Sequence, residues 1–216
     1  MPSHQHDFIE LAMAHGALSF GEFTLKSGRV SPYFFNAGQL SSGAAAAMLG
    51  TLYASVIAAE YPKFDVLFGP AYKGIPLAAL TAAALAERHA IDVPYAYNRK
   101  EAKQHGEGGN IVGGSLDGNV VIVDDVITAG TAIRESVEMI RAAGGSVAGI
   151  VISLDRQERG QGARSAVQEV EAATGVRVSA IATLADLVTV LSQNHEHTEH
   201  ADAVRDYQHK YSVARG

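Results

Sequence analysis

Short runs of β-forming residues alternate along this chain with longer stretches in which apolar residues recur every three or four positions. The clearest short runs are residues 65–68 (DVLF), 93–97, 120–123 (VVIV), 147–154 and 177–182, and they are predicted to be strands. The helical spacing covers residues 7–15, 42–61, 75–89, 131–143, 163–174, 184–193 and 201–211. Gly16 is a plausible stop for the first of these helices, Ser42 a cap for the second, and Pro62 lies just beyond its end. Residues 20–36 alternate loosely and are broken by Ser-Gly and Ser-Pro, which reads as a hairpin. Residues 99–114 are polar and glycine-rich and read as one long loop.

Strands that alternate with helices, with apolar runs too continuous for a half-solvated sheet, imply an α/β fold. Its sheet should be mostly parallel and covered on both faces. In such sheets ligands bind beyond the carboxyl ends of the strands. Four loops rich in small or charged residues each follow an expected strand: 69–74, 99–109, 124–131 and 155–160. Their convergence at one edge is the structural argument for a single shared site.

The stretch 119–132, NVVIVDDVITAGTA, carries the most chemistry. An apolar strand runs into Asp124 and Asp125. A loop of small and hydroxylated residues follows, and a helical pattern then begins. Unpaired N–H groups and the positive dipole end of that helix attract an anion. Two carboxylates at the strand's end suit sugar hydroxyls or Mg²⁺, which prefers oxygen ligands. An Asp pair alone reads equally well as a solvated strand end; the fourteen-residue string does not.

The other loops add cations. GPAYKG (69–74) places Lys73 after a strand, and its glycines would let backbone approach a phosphate. RKEAKQHGEGG (99–109) holds Arg99, Lys100, Lys103 and His105, the composition of a mobile lid over an anionic reaction. Residues 20–36 carry Lys26, Arg29 and the cluster Tyr33-Phe34-Phe35, able to bracket a planar anionic base or to form a plain hydrophobic hairpin. Arg156 could grip a carboxylate in two-point fashion or pair with Glu158 or Asp155. The spacing of His195, His197 and His200 fits no compact metal site, so these residues and His209 read as a solvated polar tail.

Composition narrows the classes further. With 23 acidic against 17 basic residues, the net charge of −6 argues against a general nucleic-acid binder. The chain has no cysteine, which removes disulfide and thiolate chemistry. Its first residues show no signal-peptide pattern and its alanine-rich runs are interrupted by polar residues, so a cytoplasmic protein without a membrane partner is expected. At 216 residues, one domain spanning 1–216 is the default, with about 195–216 forming the His-rich tail.

Together the strings FTLKSGRVSPYFFN (23–36), GPAYKG (69–74), RKEAKQHGEGG (99–109), VIVDDVITAGTA (121–132) and DRQERG (155–160) resemble the orotate phosphoribosyltransferases. These are type I phosphoribosyltransferases with a small N-terminal hood over the site. The resemblance implies transfer of phosphoribose from phosphoribosyl diphosphate (PRPP) to orotate with Mg²⁺, in a homodimer whose basic loop completes the partner's site. By matching motif, Asp124 and Asp125 face the ribose. Thr128, Ala129, Gly130, Thr131 and Ala132 hold the 5′-phosphate, and Val126 and Ile127 also belong to the PRPP site. Tyr72, Lys73, Arg99, Lys100, Lys103 and His105 meet the diphosphate, with Lys103 the main charge on the leaving group. Lys26, Phe34, Phe35, Thr128 and Arg156 surround orotate, and Lys26 also serves PRPP. Mg²⁺ is held mainly by PRPP, with Asp124 and Asp125 nearby. The resemblance further implies a non-proline cis peptide at Ala71–Tyr72. Beyond about residue 184 no family string is recognised.

Two other classes compete. A purine or uracil phosphoribosyltransferase would not need Lys26, the aromatic cluster or Arg156. A non-catalytic PRPP-binding regulator should lack the lid and would usually carry a basic nucleic-acid surface or an added domain. The intact basic loop and the acidic charge rank the orotate enzyme first.

Overall fold

The protein is described here by a computed structural model in which residues 3–25, 27–100, 110–160 and 162–213 are defined. The order of elements is α1 (Ser3–Ala14), β1 (Leu18–Thr24), β2 (Val30–Phe35), α2 (Gly43–Glu60), β3 (Val66–Gly69), α3 (Gly74–His89), β4 (Tyr95–Asn98) and β5 (Ile111–Gly113). Then follow β6 (Asn119–Asp124), α4 (Thr131–Ala142), β7 (Ser146–Asp155), α5 (Ala166–Thr174), β8 (Val178–Thr183), α6 (Leu184–Gln193) and α7 (Thr198–Tyr211). The main sheet has the order β5-β4-β3-β6-β7-β8. Its strands are parallel except β5, which pairs antiparallel with β4.

Strand periodicity explains the layers. Along β6, Val120 and Ile122 join a core with Ile133, Val137 and Ile140 of α4 and Val167 and Val170 of α5. Val121 and Val123 point the other way, into a core built with α1, α2, α3, α6 and α7. All four valine and isoleucine side chains of this run are fully buried, as a doubly covered parallel strand requires. Helix α2 is long and apolar enough to cross a membrane by length and composition, yet one side of it, including Leu49, Tyr53 and Ile57, lies in the core.

Strands β1 and β2 form a separate antiparallel ribbon, with Leu18 opposite Phe35. Tyr33 and Phe35 face inward and Phe34 outward, because successive side chains alternate. Phe35 packs on Phe8 of α1, and Tyr33 meets Tyr207 of α7 edge-on. The ribbon is thus held between the first and last helices.

Four expectations need correction, the first being α1, which begins at Ser3 rather than at residue 7. Residues 111–113 are an edge strand rather than loop; the run is too short to show a period, and Gly113 at φ +104° brings its backbone against the Tyr95 carbonyl. The helix expected from 163 starts at Ala166, where Ser165 and Gln168 cap each other's backbone N–H. The last helix begins at Thr198 rather than 201, and its histidines are not all solvated tail: His200 stacks on Phe20 with ring centroids 4.6 Å apart.

Candidate active site

The direction in which the chain crosses the sheet reverses between β3 and β6. From β3 it moves outward to β4, and from β6 the opposite way to β7 and β8. A crevice forms at the carboxyl ends of strands at such a switch point. The parallel strands β3, β4, β6 and β7 release residues 70–73, 99–100, 125–130 and 156–160 at this one edge.

The loop after β3 is tight. A Cβ on Gly69 would lie 2.0 Å from the Gly74 carbonyl oxygen, and one on Gly74 would lie 2.6 Å from Pro70. These glycines therefore let the loop fold against itself, a need more immediate than the approach to phosphate expected of them. The Ala71–Tyr72 peptide is cis. Its Ala71 N–H donates to Asn98 Oδ1 at the end of β4, 2.8 Å away. Lys73 Nζ reaches across to Asp125 Oδ2. The lysine side chain is 61% exposed and the carboxylate 8%, so one solvated cation neutralises a buried anion. Tyr72 is 66% exposed, with Lys100 Nζ 4.8 Å from its ring centroid. Tyr72, Tyr97, Asn98, Arg99 and Lys100 line an open cleft.

The two acids at the end of β6 are held in different ways. Asp124 Oδ1 accepts from the Asp125 N–H and Asp125 Oδ1 from the Val126 N–H. Burial pushes the Asp124 carboxyl from 3.8 to about 6; the Asp125 N–H opposes this, the Asp125 charge adds to it and Lys73 opposes it again. Behind the acids, the fully buried Tyr53 of α2 donates to the Asp124 carbonyl at 2.7 Å and contacts Ser153 Oγ at 3.0 Å. Ser153 of β7 donates from its hydroxyl (2.8 Å) and its N–H (2.9 Å) to the Asp125 carbonyl.

The loop then opens into α4. Thr128, Ala129, Thr131 and Ala132 are exposed. Gly130, the N-cap, takes φ +69°, and a Cβ there would lie 2.4 Å from Val170. No side chain caps this helix, which leaves its first N–H groups without a side-chain acceptor, the arrangement that suits an anion. Arg134 Nη2 braces the loop by donating to the Ala129 carbonyl, 2.7 Å. Val126 and Ile127 turn their side chains into the two cores, which leaves only their backbone to a ligand.

On the β7 side, Arg156 donates through Nε and Nη2 to Glu158 Oε1, at 2.8 and 2.6 Å. Its guanidinium lies 4.9 Å from the Tyr33 ring centroid. Phe34 is 42% exposed. Phe35, expected beside it at the ligand, has its ring in the core, so strand alternation splits the pair. Lys26, Lys103 and His105 lie outside the described residues. Sequence reasoning passed over Tyr53, Asn98, Arg134 and Ser153, which support the site through backbone; Tyr53 and Ser153 sit inside runs read only as core.

A strand ending in two acids, an uncapped helix N-terminus and a neighbouring lysine loop at a sheet's switch point are the parts of a phosphoribosyltransferase. Residues 37–178 match the phosphoribosyl transferase domain family. The chain is 56% identical over 213 residues to the orotate phosphoribosyltransferase of Vibrio parahaemolyticus, covering 99% of this chain and 100% of that one. The orotate phosphoribosyltransferase of Escherichia coli is 57% identical over the same length. In structure it is similar to the orotate phosphoribosyltransferase of Francisella tularensis, with a TM-score of 0.86, 41% identity and coverage of 95% and 99% of the two chains. The chain belongs to the orotate phosphoribosyltransferase family. The matched length of 213 residues extends past residue 184, where no family string was recognisable.

Proposed function

We propose that this protein transfers the 5-phosphoribosyl group from PRPP to orotate, giving orotidine 5′-monophosphate and diphosphate in pyrimidine synthesis. The observation that carries this reading is the uncapped N-terminus of α4 directly after Asp124 and Asp125, in a chain whose full-length relatives bear that enzyme's name.

In this mechanism the N–H groups of residues 128–132 and the Thr128 and Thr131 hydroxyls hold the 5′-phosphate, and Asp124 and Asp125 accept from the ribose hydroxyls. Lys73 leaves Asp125 for the diphosphate as PRPP enters, which frees both groups for the ligand. Breaking the C1–oxygen bond builds positive charge on the ribose and negative charge on the leaving diphosphate, as in other glycosyl transfers. Tyr72, Lys73, Arg99, Lys100, Lys103 and His105 neutralise that diphosphate, with Lys103 the principal charge. Lys26, the exposed Phe34 ring, the Phe35 backbone and Thr128 hold orotate in line, and Arg156 receives its carboxylate. No side chain acts as a nucleophile.

Mg²⁺ fits the donor set. Among the described residues no group of three or more His, Cys, Asp or Glu could cage a metal. Two adjacent carboxylates, one of them paired with lysine, suit an ion carried in largely by the substrate's oxygens. When bound it would offset charge on the diphosphate, beside Asp124 and Asp125. We extend the reading to a cytoplasmic homodimer in which residues 99–109 act in the partner's site and residues 1–40 form the hood.

Product analysis tests the reaction: orotate and PRPP should yield orotidine 5′-monophosphate and diphosphate in equal amounts. Uracil, adenine or guanine in place of orotate should yield no nucleotide. Turnover of a purine or uracil but not orotate would refute the proposal.

A further inference from the structure

Resting on the reading of Arg156 as the orotate carboxylate's receptor, we propose that Glu158 is a positioning residue that fixes which edge of Arg156 the substrate can use. After β7 ends at Asp155, the chain turns sharply. Gln157 takes φ +54° and its N–H donates to Asp155 Oδ1, which brings the side chains two residues apart onto one another. Arg156 Nε and Nη2 both point at the single oxygen Oε1 of Glu158. That edge of the guanidinium is consumed, and the Nη1 side remains for a ligand.

Glu158 is itself fixed from three sides. The buried Tyr33 hydroxyl donates to the same Oε1 at 3.2 Å, while the Tyr33 ring lies under the guanidinium. Arg29 Nη1 stands 4.0 Å from Oε2 and also donates to the Arg159 carbonyl, 2.7 Å. The backbone of Glu158 bridges to Ser212 beyond α7. The side chains of Arg156 and Glu158 are 17% and 14% exposed, so neither samples solvent freely.

Two consequences favour orotate. A locked fork loses little freedom when it takes a second carboxylate. The Glu158 charge also repels any carboxylate from the occupied edge, so the ligand's carboxylate enters in one orientation. The ribbon, the β7 loop and the C-terminal segment thereby act together on base recognition.

The test is steady-state kinetics on Glu158→Gln, Tyr33→Phe and Arg156→Ala, with each melting temperature measured. Glu158→Gln keeps shape and an acceptor but removes the charge; it should raise KM for orotate about tenfold. Its KM for PRPP and its kcat should stay within about twofold, a split that general loosening of the fold would not give. Tyr33→Phe should shift KM for orotate in the same direction by about threefold. If Arg156→Ala raises KM for orotate but Glu158→Gln leaves it unchanged, or moves both KM values equally, Glu158 has no positioning role. An Arg156→Ala enzyme with unchanged KM for orotate would instead remove the underlying reading of Arg156. Should Glu158→Gln fail to fold, Tyr33→Phe decides: a selective rise supports the proposal and no rise overturns it.

Discussion

Asp124→Asn removes a charge that the fold disfavours but the proposed reaction needs. Burial carries the Asp124 carboxyl from 3.8 to about 6: the native state binds this proton more tightly than the unfolded chain does, and above pH 6 it holds an ionised carboxylate that burial disfavours. A raised carboxyl pKa contributes stability that is fully present below the unfolded value and lost as pH rises through the folded one. The window is therefore about pH 4 to 6, and above it the native state carries the whole cost. At about 1.4 kcal/mol per pH unit, that cost is about 3 kcal/mol near pH 7. The asparagine retains an acceptor for the Asp125 N–H and fits the same space. Urea unfolding at pH 7.5 should show the variant more stable than the wild type by up to about 3 kcal/mol, with the gain fading toward pH 4. Its kcat/KM for PRPP should fall at the same time, as expected where a site stores charge at the expense of stability. A variant less stable at pH 7.5, or a difference independent of pH, would refute the reasoning.

Lys73→Ala leaves the buried Asp125 carboxylate without its cation. Because the lysine is mostly solvated, unfolding free energy should drop by no more than about 1 kcal/mol while KM for PRPP rises, read by denaturation and kinetics side by side. Gly69→Ala drives a methyl group onto the Gly74 carbonyl and should lower stability by about 2 kcal/mol or more, visible as a lower melting temperature. Tyr53→Phe removes the donor to the Asp124 carbonyl, at a cost of about 1 kcal/mol in unfolding free energy. Calorimetry on that variant should show weakened PRPP affinity and unaltered orotate affinity.

The parts of the fold that were legible in sequence are those whose period was uninterrupted. The run 120–123 identified itself as a strand buried on both faces, and α6 was placed at its observed limits by apolar spacing alone. Strand β5 escaped because three residues, one of them glycine in a left-handed conformation, show no alternation. His200 of α7 looked like tail because its partner, Phe20, lies some 180 residues away, beyond the reach of any local pattern. At the site, loops following strands were recognisable by their small and charged residues. Ring direction was not: adjacent Phe34 and Phe35 are chemically identical, and only the ribbon's register decides which one faces out. Tyr53 and Ser153 were hidden for the opposite reason, as polar atoms inside apolar runs whose partners are the backbone carbonyls of Asp124 and Asp125, far along the chain.

The most direct measurement is absorbance at the orotate band when the protein is mixed with orotate, PRPP and Mg²⁺. Loss of the orotate signal that requires PRPP and falls at least about a hundredfold in rate in Lys103→Ala is expected for a transition-state charge on the leaving diphosphate. An unchanged orotate signal, with PRPP still binding by calorimetry, would contradict the assignment and leave a phosphoribosyltransferase acting on another base or a protein that only binds PRPP.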